Sequence, residues 1–212
     1  MRDIELNELA DIIAARGARS RSLTAIAGAP GSGKSTLAEV LAERLNQRDF
    51  GSAAVLPMDG FHYDDMILVP RGWRARKGAP HTFDVAGLGV MLSRLRADAE
   101  AEIAVPVFDR EIEIARAGAR MISHGVRHLI VEGNYLLLAD APWNDLHALF
   151  DTTVLIDVPE DELRRRLVGR WQGYGLTPGQ IAEKLESNDL PNGRVVTTRS
   201  IAPEFRIAAD LP

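Results

Sequence analysis

The run Gly28-Ala29-Pro30-Gly31-Ser32-Gly33-Lys34-Ser35 follows the spacing G-x-x-x-x-G-K-[ST] in full. Glycines at these places let backbone amides close around a phosphate without Cβ clashes, and a helix start behind them adds partial positive charge. Lys34 would reach the β- and γ-phosphates, and the Ser35 hydroxyl would ligate Mg²⁺. Residues 28 to 36, ending at Thr36, are therefore the expected nucleotide-binding set. Lysine is scarce here: the chain has three (Lys34, Lys77, Lys184), so a motif that demands one rarely arises by accident. No N/T-K-x-D run is present to read guanine. Asp84-Val-Ala-Gly87 fits D-x-x-G but falls at a helix start. ATP with Mg²⁺ is the expected pair of cofactors.

A phosphate-binding loop does not name a reaction; an acceptor site must face it. Asp59, in PMDGFHYDD, ends an apolar run and is placed to take the proton of an attacking hydroxyl. In a loose phosphoryl-transfer transition state that proton leaves late, so orientation matters more than basicity. The other reading of Asp59 is a cap on the next turn. Gly60 would allow close backbone approach, while His62 and Tyr63 would wall a small polar substrate. Glu132, in HLIVEGN, ends another apolar strand, where a charge needs a cation or donors. The Mg²⁺ shell is its natural partner, and a cap on the Gly133-Asn134 turn is the alternative. Arg166 and Arg170, four residues apart, could fold over the triphosphate as part of a lid at about 160–177 and stabilise transition-state charge. Arg76, with Arg74 and Lys77, would bind an anionic or polyhydroxyl acceptor or simply keep a loop solvated. Asp109 and Arg110, just past a strand, also fall on the ligand side. His124 and His128 have metal-like spacing, but Gly125 interrupts any helix between them.

These residues need a scaffold, and the hydrophobic pattern supplies one. Leu6, Leu9 and Ile13 share a helical face, as do Leu37, Leu41 and Leu45, and Val85, Leu88, Leu92 and Leu95. Short apolar runs at 23–27, 53–58, 103–108, 128–131, 153–156 and 195–198 read as strands, the last after a turn at Asn192-Gly193. Helices are expected near 160–169 and 178–187, the latter opened by a capping box of Thr177 and Gln180 with Pro178 at the first position. Continuous apolar strands alternating with amphipathic helices imply a three-layer α/β fold: a parallel sheet with helices on both faces. Ligands in such sheets bind beyond the carboxyl ends of the strands.

Composition sets the bounds. The 212 residues are 46% apolar and 26% charged, enough for one domain over 1–212 without staples. With no cysteine, disulfides, thiolate metal sites and cysteine nucleophiles are excluded. A net charge of −5 and 6% aromatics argue against a nucleic-acid surface. No apolar run approaches the roughly 18 residues of a membrane span, and the N-terminus does not read as a secretory signal. A small-molecule substrate and a cytoplasmic location are expected; a homodimer is left open.

Taken together, GAPGSGKST, PMDGFHYDD, RKGAPHTFD, PVFDRE, IVEGNYLLL and NDLPN resemble the pantothenate kinase and uridine kinase group of P-loop kinases. More narrowly, they resemble short bacterial proteins labelled fructose transport system kinases. The resemblance implies the P-loop NTPase fold with a five-stranded parallel sheet and a small lid, Asp59 as base and Glu132 near magnesium. It includes Asn188 and Asn192 of NDLPN without giving them a role. The implied activity is ATP-dependent phosphorylation of a hydroxyl on a small polar metabolite, with a sugar first. A nucleoside or a pantothenate-like vitamin is the alternative acceptor, and a nucleotide-binding regulatory ATPase is the alternative of another class.

Overall fold

Two strands, β2 (Ser22–Gly28) and β6 (His128–Gly133), are buried along their whole length and pair in parallel at the centre of the sheet. Alternation divides the side chains of β2 between two apolar layers. Leu23, Ala25 and Ala27 enter one, with Leu88, Leu92 and Leu95; Ile26 enters the other, with Leu37, Leu41 and Leu45. The computed structural model describes residues 1–208; the last four residues of the expected 1–212 domain lie outside it.

In chain order the strands are β1 (Arg2–Asp3), β2, β3 (Ala53–Pro57), β4 (Glu102–Asp109), β5 (Ile114–Ser123), β6, β7 (Thr152–Asp157) and β8 (Phe205–Ala208). Six form one parallel sheet in the order β1-β8-β7-β2-β6-β3, so the expected five becomes six. The helices are α1 (Leu6–Arg16), α2 (Lys34–Arg48), α3 (Asp65–Leu68), α4 (Val85–Ala97), α5 (Glu160–Gly173), α6 (Pro178–Lys184) and α7 (Leu190–Arg199). Among the described residues no helix is long and apolar enough to cross a membrane.

Two strand expectations are corrected. The apolar run 103–108 is not in the main sheet but pairs antiparallel with β5 as a separate hairpin. Pro106 lies within β4, where the register shifts between Val105 and Val107, and a residue without an N–H cannot serve a central strand. The run 195–198 is helical, within α7. Leu190, Gly193 and Val196 recur every third residue on its buried face, and the Thr197 and Thr198 hydroxyls donate back to the Arg194 carbonyl at 3.1 and 2.6 Å. Tertiary packing here overrides the strand preference of the β-branched run. One π turn, Leu185–Asp189, joins α6 to α7, and the expected Thr177–Gln180 capping box opens α6. Asp84 caps α4 by accepting from the Gly87 amide at 2.9 Å, which accounts for the D-x-x-G run.

Arg21 fastens the hairpin to this frame. Its buried guanidinium donates to the carbonyls of Val126 (2.6 Å), Leu95 (2.8 Å) and Ser123 (2.8 Å) and pairs with Asp98 at 2.5 Å. Arg21→Met would strand these acceptors and the carboxylate. A loss of about 3 kcal/mol is expected in urea unfolding, and a loss below about 1 kcal/mol would show that solvent replaces the guanidinium.

Candidate functional site

The phosphate-loop geometry follows from its glycines. Gly31 and Gly33 sit at φ +80° and +93°, where a side chain is strained. Gly28 lies under Ser32, and a Cβ on Gly31 would press the Leu167 side chain of α5 at 3.0 Å. Ala29 is buried, Pro30 borders the cleft described below, and Ser32 N–H closes the turn on the Ala29 carbonyl at 3.0 Å. Leu37 N–H to the Gly33 carbonyl, at 2.9 Å, is the bond that starts α2. The amides of Lys34, Ser35 and Thr36 thus head the helix, as an anion site requires.

The neighbouring strand ends bring the other charges to this loop. Glu132, next to last in β6, pairs across the sheet with Ile26 of β2 and Pro57 of β3. Its Oε1 accepts the Ser35 hydroxyl at 3.1 Å. Burial pushes its carboxyl above the usual value, against the pull of Lys34. The Lys34 ammonium is likewise depressed by burial and supported by Glu132 and Asp59. Asp59 lies in the 3₁₀ turn Met58–Phe61 directly after β3. Burial opposes its charge, but His62, Arg110 and Lys34 outweigh burial and hold it below the usual carboxylate value. Arg110, from the hairpin, donates to Asp59 Oδ2 at 2.7 Å.

Lys34, Asp59, His62 and Arg110 line a polar cleft that is open to solvent at its mouth, while Glu132 lies outside its lining. The His62 ring stands between Phe83 and Phe108, with centroids 4.0 and 4.8 Å away. Its Nδ1 lies 2.8 Å from the Asp59 carbonyl, which can only accept, so Nδ1 carries the proton and Nε2 is an acceptor. The hairpin reaches this wall because Gly60 has no Cβ: one there would meet the Pro106 carbonyl oxygen at 2.6 Å.

Several expected site residues are placed elsewhere. Tyr63 is not among the residues lining the cleft, and the Arg71 guanidinium lies over its ring at 5.9 Å. Asp109 points away from its neighbour Arg110, accepting from Arg116 at 3.2 Å across the hairpin. Arg76 does not line the cleft. It donates to the Ser187 carbonyl (2.6 Å) and Asn192 Oδ1 (3.3 Å) and so ties its loop to the π turn. The two lid arginines diverge as well. Arg170 borders the cleft, whereas Arg166 bonds Glu162 Oε1 at 2.6 Å and the Ser32 carbonyl of the phosphate loop at 3.2 Å.

The cleft also contains residues the sequence did not single out: Asn134, Trp171, Lys184 and Asp189. Asn188 and Asn192 acquire a role. Asn188 Nδ2 donates to the Lys77 carbonyl at 2.9 Å, Asn192 Nδ2 donates to Asn188 Oδ1 at 3.1 Å, and both are buried. Trp171 Nε1 donates to Asp189 Oδ2 at 2.7 Å in the same π turn. A single helical irregularity therefore fastens helix α5 to the loop carrying Lys77. The sequence pattern sets Asn192-Gly193 in a turn and assigns neither asparagine a role; Asn192 and Gly193 instead lie within α7, and the contact of Asn188 spans 111 positions.

A family profile described as an AAA domain matches residues 25–184. A candidate uridine kinase of Schizosaccharomyces pombe is 36% identical, covering 88% of this chain and 83% of its own. The crystal structure of a candidate fructose transport system kinase from Silicibacter sp. TM1040 superposes with a TM-score of 0.88 at 38% identity, covering 96% of this chain and 98% of that one. YFH7 of Saccharomyces cerevisiae shares the fold, with a TM-score of 0.81 at 20% identity over 97% and 98% of the two chains.

The desolvated imidazoles of His62 and His128 predict a pH dependence. Burial holds His62 and His128 below the ordinary value of 6.5. Below about pH 6.5 the unfolded chain takes protons that these folded rings refuse. Their contribution to stability is therefore full above that pH and is lost as the pH falls through the lowered folded values. His62→Gln is expected to shrink the drop in urea midpoint between about pH 7.5 and about pH 5.5; an unchanged drop would assign the acid sensitivity to other groups.

Proposed function

The chain belongs to the P-loop kinase family, and from that premise we propose that it transfers the γ-phosphoryl group of ATP to a hydroxyl of a small polar metabolite, foremost a sugar. The observation that carries the reading is Asp59, set across a polar cleft from Lys34 and within its electrostatic reach. A hydroxyl in that cleft would attack the γ-phosphorus as the bond to the β–γ bridging oxygen breaks. Its proton would pass to Asp59, and ADP would leave. Asp59 is kept ionised by its surroundings and so is ready to accept, and His62 Nε2 would help orient the acceptor.

The residues present fit magnesium. A hydroxyl and one carboxylate, Ser35 and Glu132, are the modest oxygen set that Mg²⁺ uses beside substrate phosphates. The raised Glu132 carboxyl is a buried acid in want of a cation. When bound, the ion neutralises phosphate charge. Lys34 and the α2 amides would hold the triphosphate, and Arg170 would stabilise its developing charge. Arg166 would brace the phosphate loop against α5, within a lid spanning about 160–177 of a single kinase domain. The name of the S. pombe relative keeps a nucleoside as the alternative acceptor.

Two substitutions test the mechanism, read by coupled ADP release across sugars, nucleosides and pantothenate with mass spectrometry of the product. Lys34→Ala should lower turnover by at least roughly 10²-fold. Asp59→Asn should abolish transfer while ATP affinity changes little; wild-type transfer in that variant would remove Asp59 from its role.

A further inference from the structure

The hydrogen-bonding capacity left unused in the cleft describes the acceptor more narrowly. The chain uses arginine 22 times and lysine three times, yet Lys34, Lys77 and Lys184 all line this one cleft. Lysine offers a compact point charge with three rotatable donors where arginine offers a rigid fork. Lys34 belongs to the triphosphate. Lys77 commits two donors, to Asp65 Oδ1 at 2.8 Å and the Glu113 carbonyl at 2.6 Å. Lys184 makes no hydrogen bond or close ion pair among the described residues, although its charge is felt by the Asp189 carboxyl. Its half-buried ammonium rests 4.3 Å from the centre of the Trp171 ring, where the cleft opens toward Arg110. Asp189 is already engaged by the indole N–H, and the Glu113 carboxylate at the same mouth is solvated.

The floor is the opposite in character. Its unused groups are acceptors: Asp59 Oδ1, His62 Nε2 and Asn134 Oδ1, the last buried without a partner. A buried acceptor without a donor is costly, so a fitting ligand brings hydroxyl hydrogens to the floor and an oxyanion to the mouth.

We propose that the acceptor is a polyhydroxylated acid or phosphate ester, its hydroxyl end seated on Asp59, His62 and Asn134 and its oxyanion held by Lys184. This rests on the kinase reading and narrows its substrate class. Three chemical groups are thereby read at once: the hydroxyl that is phosphorylated, a neighbouring hydroxyl, and the anion.

The test uses acyclic sets that place an anion on a common polyol frame: glycerol, glycerate and glycerol 3-phosphate, and glucitol, gluconate and glucitol 6-phosphate. ADP release and product mass are read for the wild type and Lys184→Met, which keeps the aliphatic stem. Tryptophan emission is titrated in parallel, with Trp171→Phe assigning the signal. The acid or the ester should exceed its neutral parent in kcat/KM by at least roughly tenfold, and Lys184→Met should collapse that ratio. Whichever anion wins identifies carboxylate or phosphate. Equal use of neutral and anionic members would overturn the inference while leaving the sugar reading in place. A Lys184→Met effect confined to the KM for ATP would also overturn it. If nothing is turned over but anions alone shift Trp171 emission in a Lys184-dependent way, the anion site stands and the kinase reading of the acceptor falls. Neither turnover nor such a shift would refute both.

Discussion

Lys34, Glu132 and Asp59 meet where three adjacent parallel strands end, and burial disfavours the charge on every one of them. Lys34 is offset by both carboxylates and Glu132 by Lys34, while Asp59 leans first on His62 and Arg110, so the cluster holds together only while the strand ends keep their spacing. The register supplies that spacing: Glu132 is level with Ile26 on one side and Pro57 on the other. A slip of one residue would turn Glu132 to the opposite face of the sheet and leave Lys34 without its nearest counter-charge. The two apolar layers that lock β2 and β6 in place are in this sense part of the site's electrostatics.

The phosphate loop, Asp59 and Glu132 were legible because a local pattern carries each: glycine spacing in one case, a carboxylate ending an apolar run in the others. The core helices were legible by the same logic, since Leu37, Leu41 and Leu45 are buried at helical spacing. The hairpin and α7 were not. β4 reads as a buried parallel strand until its partner β5 is known, because the apolar run alone does not say which sheet it joins. Val195–Thr198 favours a strand by type, and only burial of Val196 and the carbonyl of Arg194 decide otherwise. Adjacent residues such as His62 and Tyr63, or Arg110 and Asp109, could not be sorted into those that line the cleft and those that do not before the fold was known. Lys184 and Asn134 carry no local signal; they matter because of what the fold places beside them.

The segment from α5 to the start of α7 has a different physical standing from the rest. Its own apolar cluster comprises four buried residues, Leu167, Ile181, Leu185 and Leu190, apart from the two large layers against the sheet. Much of what fixes it is polar: Arg166 on the Ser32 carbonyl, Trp171 on Asp189, and Arg194 on Glu160 at 2.6 Å. Segments tied mainly by such contacts open at lower free energy than core strands. Motion of α5 and α6 relative to the sheet is thus mechanically coupled, through Asn188, to the loop that carries Lys77.

Gly60 has a consequence of another kind. The hairpin approaches the Asp59 turn backbone to backbone, with the Pro106 carbonyl occupying the space a Cβ would need. The gap between Asp59 and the hairpin wall is therefore gauged by main chain, which mutation of neighbouring side chains does not move. Descendants of this chain can change what decorates the cleft far more easily than how wide it is. Chemical selectivity can drift from one acceptor to another of similar girth, while a bulkier acceptor requires the hairpin itself to be rebuilt.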